Sequence, residues 1–110
     1  MQTNLVLGIG DLGVSDAPSG FIKTFALGSC VAVVLYDKMT NNGGMIHIAL
    51  PNSETDKAKS ETKPGYFADT GIPLLLKMMK QKNPQLSRKY LSIKLAGGAS
   101  IMDADNFFNI

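Results

Sequence analysis

The chain has 110 residues, 45% of them apolar and 18% charged, with a formal net charge of +2, the profile of one small domain. At this length roughly two thirds of the unfolded surface is buried on folding, so a core forms without disulfide staples, and 11 basic residues against 9 acidic ones, spread rather than clustered, give a nucleic-acid partner no support. One cysteine forms no internal disulfide and suits the reducing cytoplasm, and the sequence has neither a signal peptide nor an apolar run long enough for direct membrane insertion.

Residues 4–9 read as a short apolar strand, and 10–13 as a turn. Gly8, Gly10 and Gly13 satisfy the spacing of a dinucleotide fingerprint. Its context is absent, because 14–20 carry turn chemistry instead of a helix and no acidic residue stands about 20 positions on. Residues 21–27 are rich in β-branched and aromatic types, Gly28 and Ser29 interrupt, and 30–36 are apolar throughout, as in a strand covered on both faces. Residues 37–44 are polar and contain the tight-turn pair Asn42-Gly43, and 45–50 return as a second strand, predicting a hairpin.

Residues 52–65 are uniformly polar and read as a mobile surface loop. Ile72, Leu75, Leu76 and Met79 then fall on one helical face, with Asp69 or Thr70 available as a cap, Pro73 in the first turn and Asn83-Pro84 as the stop. Residues 91–95 alternate strictly, as in a half-buried strand, and lead into the glycine-rich stretch 96–100. The sequence shows no internal repeat.

Cys30 and His47, the single cysteine and the single histidine, both belong to the predicted hairpin. A free cysteine is among the most buried residue types, and on its own Cys30 reads as a small core hydrophobe. One thiol and one imidazole fall short of a zinc ligand set, and Asp103 and Asp105 show no ligand spacing with either. The small residues Gly28 and Ser29 before the thiol nevertheless leave room for a substrate. Backbone N–H groups at such a break can converge on an oxyanion, where one donor is worth about 2.7–4 kcal/mol. A thiol with a reference pKa of about 8.5 needs help to ionise, and His47 is the only histidine that could supply it. The two share a face only if opposed hairpin positions add to an odd number near 77; a sum of 80 puts them on opposite faces, and the sequence leaves both open.

These residues resemble a known family, the CheD chemoreceptor glutamine deamidases of bacterial chemotaxis. Thr24-Phe25-Ala26-Leu27-Gly28-Ser29-Cys30-Val31-Ala32-Val33 is similar to the family's nucleophile signature, and Gly44-Met45-Ile46-His47-Ile48-Ala49-Leu50-Pro51 to its histidine segment. Gly65-Tyr66-Phe67-Ala68-Asp69-Thr70 resembles the entry to its long helix, and Lys94-Leu95-Ala96-Gly97-Gly98-Ala99-Ser100 its glycine-rich strand end. The resemblance implies Cys30 as nucleophile, His47 as general base and acid, and Thr24 as the residue that orients the imidazole. A neutral threonine can hold the ring, though it cannot stabilise the cation through charge.

The resemblance also implies an α+β fold, a layered α/β sandwich with mixed β-sheets flanked by helices, similar to deamidating toxin cysteine hydrolases. It implies no metal or organic cofactor, methyl-accepting chemoreceptors as substrate, and a CheC-type phosphatase as partner. Residues 1–110 are expected to form a single deamidase-like domain. Family members continue for a few dozen residues past the position of Ile110, so the C-terminal part of the family fold is expected to be missing, with Phe107 and Phe108 in a segment meant to be covered. The rival reading is a non-enzymatic chemotaxis module that grips receptor helices and the CheC phosphatase.

Overall fold

Seven residues of β-branched and aliphatic character, with one tyrosine and a closing aspartate, make β4 (Val31–Asp37), and it pairs antiparallel with β5 (Gly43–Ile48). The computed structural model describes residues 4–15, 21–25 and 28–97. The hairpin register sums to 79, with Ala32 opposite His47 and Tyr36 opposite Gly43. The left-handed residue of the turn is Asn41, at φ 61°, rather than a glycine.

β2 (Leu12–Ser15) joins the far side of β5, and β6 (Leu91–Gly97) the far side of β4, giving the order β2-β5-β4-β6, antiparallel throughout. A second, two-stranded sheet is parallel: β1 (Asn4–Leu7) beside β3 (Phe21–Thr24), with Leu7 opposite Thr24. The chain is therefore α+β with mixed sheets.

The period-2 alternation of these strands sorts their residues between two layers. Val14, Val31, Val33, Leu35, Ile46 and Ile48 face α2 (Ala68–Lys82) and form the main core with Ala68, Leu75 and Met79. On the reverse face Leu5 of the small sheet lies against Gly13, where an added Cβ would stand 2.7 Å from its Cδ1.

Several sequence expectations need correction. β2 lies where a turn was expected, so Gly13 is a strand residue and the described residues directly after it, Val14 and Ser15, continue the strand. The polar stretch 52–65 is not a structureless loop. It holds a 3₁₀ turn Ser53–Thr55, the short helix α1 (Lys57–Thr62) and the start of a 3₁₀ turn Pro64–Tyr66. Asn52 accepts the N–H of Glu54 and Asp56 that of Lys59 as local caps.

α2 begins at Ala68 after an extended Phe67, with no side-chain cap at its N-cap position. Asp69 instead accepts from the N–H and hydroxyl of Ser53, and Pro73 sits in the second turn. β6 is more exposed than its alternation predicts: Ile93 and Leu95 are 50% and 37% exposed, and among the described residues β6 is an edge strand. Gly98 to Ser100, Asp103, Asp105, Phe107 and Phe108 lie outside the described residues.

Candidate active site

His47 stands on β5 with its side chain on the face turned away from α2, and it is 1% exposed. Thr24, the last residue of β3, is brought over it by the parallel pairing with β1. The Thr24 hydroxyl donates to the Leu7 carbonyl at 2.7 Å, and its oxygen lies 2.7 Å from Nδ1 of His47. With its proton given to Leu7, that oxygen acts as acceptor, so Nδ1 carries the imidazole proton and Nε2 keeps its lone pair. Among the described residues, Nε2 of His47 is the only buried side-chain nitrogen or oxygen without a hydrogen-bond partner. Such an atom in a native core asks for an explanation, and a reacting group is one.

Burial pushes the His47 pKa below its ordinary value, because a charged imidazolium loses its hydration there; the Asp11 carboxylate works in the opposite direction. At neutral pH the ring is therefore neutral and able to accept a proton at Nε2.

Cys30 is partly buried and free, one residue ahead of β4. The observed sum of 79 is odd, so continuing the pleat back by two from Ala32 puts Cys30 on the same face as His47, on the diagonal. The turn before it is exposed at Gly28 and Ser29. Gly28 has φ +46°, and open space lies where a Cβ would point, so glycine serves this turn by conformation and not by packing.

Sequence reasoning missed the residues behind His47. The Gly10 N–H donates to the His47 carbonyl at 2.7 Å, and the Asp11 carbonyl accepts the His47 N–H at 3.0 Å. Gly10, one of the three glycines with dinucleotide-fingerprint spacing, belongs to this clasp instead. Among the described residues no group of three or more His, Cys, Asp or Glu side chains gathers as a metal site would require, and no helix is long and apolar enough to cross a membrane.

A family model described as CheD chemotactic sensory transduction matches residues 49–110. The chain is 47% identical to a probable chemoreceptor glutamine deamidase CheD of Syntrophotalea carbinolica, over 99% of this chain and 67% of that protein. It is 46% identical to a probable chemoreceptor glutamine deamidase CheD 1 of Syntrophus aciditrophicus, over 97% and 66%, and 40% identical to one from Solibacter usitatus, over 96% and 62%. The chain thus spans about two thirds of the length of these relatives. The alignment to the first takes in all but one residue of the chain, strands β3 to β5 included, and with the family model over its second half it places the protein in the CheD family.

Proposed function

We propose that the protein is a cysteine-dependent protein-glutamine deamidase that converts glutamine side chains of methyl-accepting chemoreceptors to glutamate. The observation that carries this reading is the buried, unpartnered Nε2 of His47 behind a Thr24-held Nδ1, on the face to which the register assigns Cys30. The names of the relatives supply the substrate class.

His47 Nε2 takes the thiol proton of Cys30, and the sulfur attacks the carbon of the substrate's side-chain amide. The carbonyl oxygen becomes an oxyanion, for which the N–H groups of the turn from Gly28 through Ser29 to Cys30 are the donors nearest in sequence. The imidazolium returns its proton to the amide nitrogen, the C–N bond breaks and ammonia leaves a thioester. Water, deprotonated by the same Nε2, adds to the thioester; the C–S bond breaks and Cys30 recovers its proton. Thr24 touches no reacting atom. It keeps the ring in the tautomer that presents Nε2, and no step requires a metal or organic cofactor. On this reading the enzyme works in the cytoplasm, and a CheC-type phosphatase is its regulatory partner.

Receptor fragments incubated with the protein should gain about 1 Da per converted glutamine, as water's oxygen replaces the amide nitrogen. Cys30→Ala and His47→Ala should each abolish the gain in mass spectra. Conversion that persists in Cys30→Ala would remove the proposed mechanism.

A further inference from the structure

The turn between β1 and β2 does more than reverse the chain. It holds the main chain of His47 through both polar groups, and Leu7, just ahead of it, receives the Thr24 hydroxyl. Asp11 closes this turn: its N–H donates to the Gly8 carbonyl at 3.0 Å, and its carboxylate accepts the Gly8 N–H at 2.8 Å. Lys63 pairs with the same carboxylate at 3.3 Å. Its methylene stem lies on Gly10, where a Cβ would come within 2.9 Å of Cε, and a Cβ at Gly65 would stand 2.3 Å from the Gly10 carbonyl oxygen. The segment that the sequence presented as a solvated loop is thus seated on the turn that holds the candidate base.

We infer that Asp11 and Lys63 are a positioning pair for His47: Asp11 closes the clasp that fixes the imidazole's strand against Thr24, and Lys63 docks the helical segment 53–66 on that clasp. This rests on the reading of His47 as the catalytic base. Both partners are about half exposed, and an ion pair of that kind adds little to stability. Its influence is on charge. Asp11 is the anion that opposes the burial cost of the imidazolium, and Lys63 is the cation that mutes Asp11. Of the other neighbouring groups, Thr24 on β3 holds Nδ1 and is itself anchored on the Leu7 carbonyl, Ala32 on β4 stands opposite His47, and Cys30 lies two positions before Ala32. Lys23 is exposed on β3 and holds its ammonium over the Phe25 ring.

The single imidazole allows a direct test by NMR titration of the whole chain, alongside the pH profile of kcat/KM for receptor-fragment deamidation. Asp11→Asn keeps an acceptor for Gly8 and removes the charge, so His47 should titrate lower than in the wild type. Lys63→Met should move it higher, and the acid limb of the profile should follow in each case. Asp11→Glu and Lys63→Arg, which keep the charges, should stay near wild type. Shifts in the same direction for Asp11→Asn and Lys63→Met, or none, would overturn the pair. If Asp11→Asn does not fold, Lys63→Met decides by its sign alone. A wild type that titrates as expected but never deamidates would sink the functional reading and leave the coupling standing.

Discussion

Thr24 and His47, 23 positions apart, meet through a hydroxyl oxygen 2.7 Å from Nδ1, and that hydroxyl is itself anchored on the Leu7 carbonyl. Thr24→Val keeps the shape and removes both bonds. A part-buried acceptor and a buried ring N–H are then left unpaired, which costs about 1–3 kcal/mol of stability. The ring also loses what holds its tautomer, and deamidation should slow about ten- to a hundredfold, each 1.36 kcal/mol being a factor of ten. Thr24→Ser should recover most of the rate. Mass-spectrometric rates and urea midpoints on the two variants check this, and a Thr24→Val protein at full rate would show that the ring needs no such partner.

Two glycines should fail for different reasons. An alanine Cβ at Gly65 would meet the Gly10 carbonyl oxygen at 2.3 Å and Leu12 Cδ2 at 3.0 Å, an overpacking that costs about 1–3 kcal/mol. Gly28 has free space around it and a left-handed φ of +46°, so Gly28→Ala costs about 1–2 kcal/mol from the backbone alone. Asparagine tolerates that conformation. Gly28→Asn should therefore regain stability in urea unfolding, while Gly65→Asn should be no better than Gly65→Ala.

What the sequence made legible was what local pattern encodes. The apolar hairpin and the stripe through Leu75 and Met79 both appear where periodicity put them, and the parity condition on Cys30 and His47 met a register of 79. β2 escaped notice because four residues with a glycine among them are too few to show a period, and its strand character comes from pairing with β5. The turns and helix within 53–66 bury only Gly65, so no apolar stripe announces them; Asn52 and Asp56 as caps were the available local signal. The partnership of Thr24 with His47 was implied by the family resemblance alone, since a contact between strands of two different sheets leaves no trace in spacing.

Asp37 ties the end of β4 to the end of α2. It is 2% exposed and accepts the Thr40 hydroxyl at 2.7 Å, the Met39 N–H at 3.0 Å and the Asn83 side-chain amide at 3.0 Å. These donors, the Thr40 hydroxyl foremost, hold its carboxyl below the ordinary 3.8 despite burial. A depressed carboxylate stabilises the fold above its unfolded pKa, and that contribution is lost as pH falls through the folded value. Asp37→Asn should cost about 1.5–3 kcal/mol at pH 7, as for hydrogen bonds to a charged group. The gap to wild type should narrow below 3.8 in urea unfolding; a gap independent of pH would mean that packing, not charge, makes the difference.

His47 gives the second pH dependence, in a window no other side chain of the chain normally occupies. Burial sets its folded pKa below the ordinary 6.5. As pH falls under 6.5 the unfolded chain takes up the proton first, so unfolding consumes protons and stability declines until the folded value is passed; above 6.5 the contribution is constant. His47→Gln cannot titrate and should lose this slope between 6.5 and the carboxylate range. The same neutral ring should keep kcat/KM for deamidation from falling until the pH is below 6.5. An NMR midpoint for His47 above 6.5 would reverse both signs, because the imidazolium would then be the form the fold prefers, and Nε2 would meet the thiol already protonated.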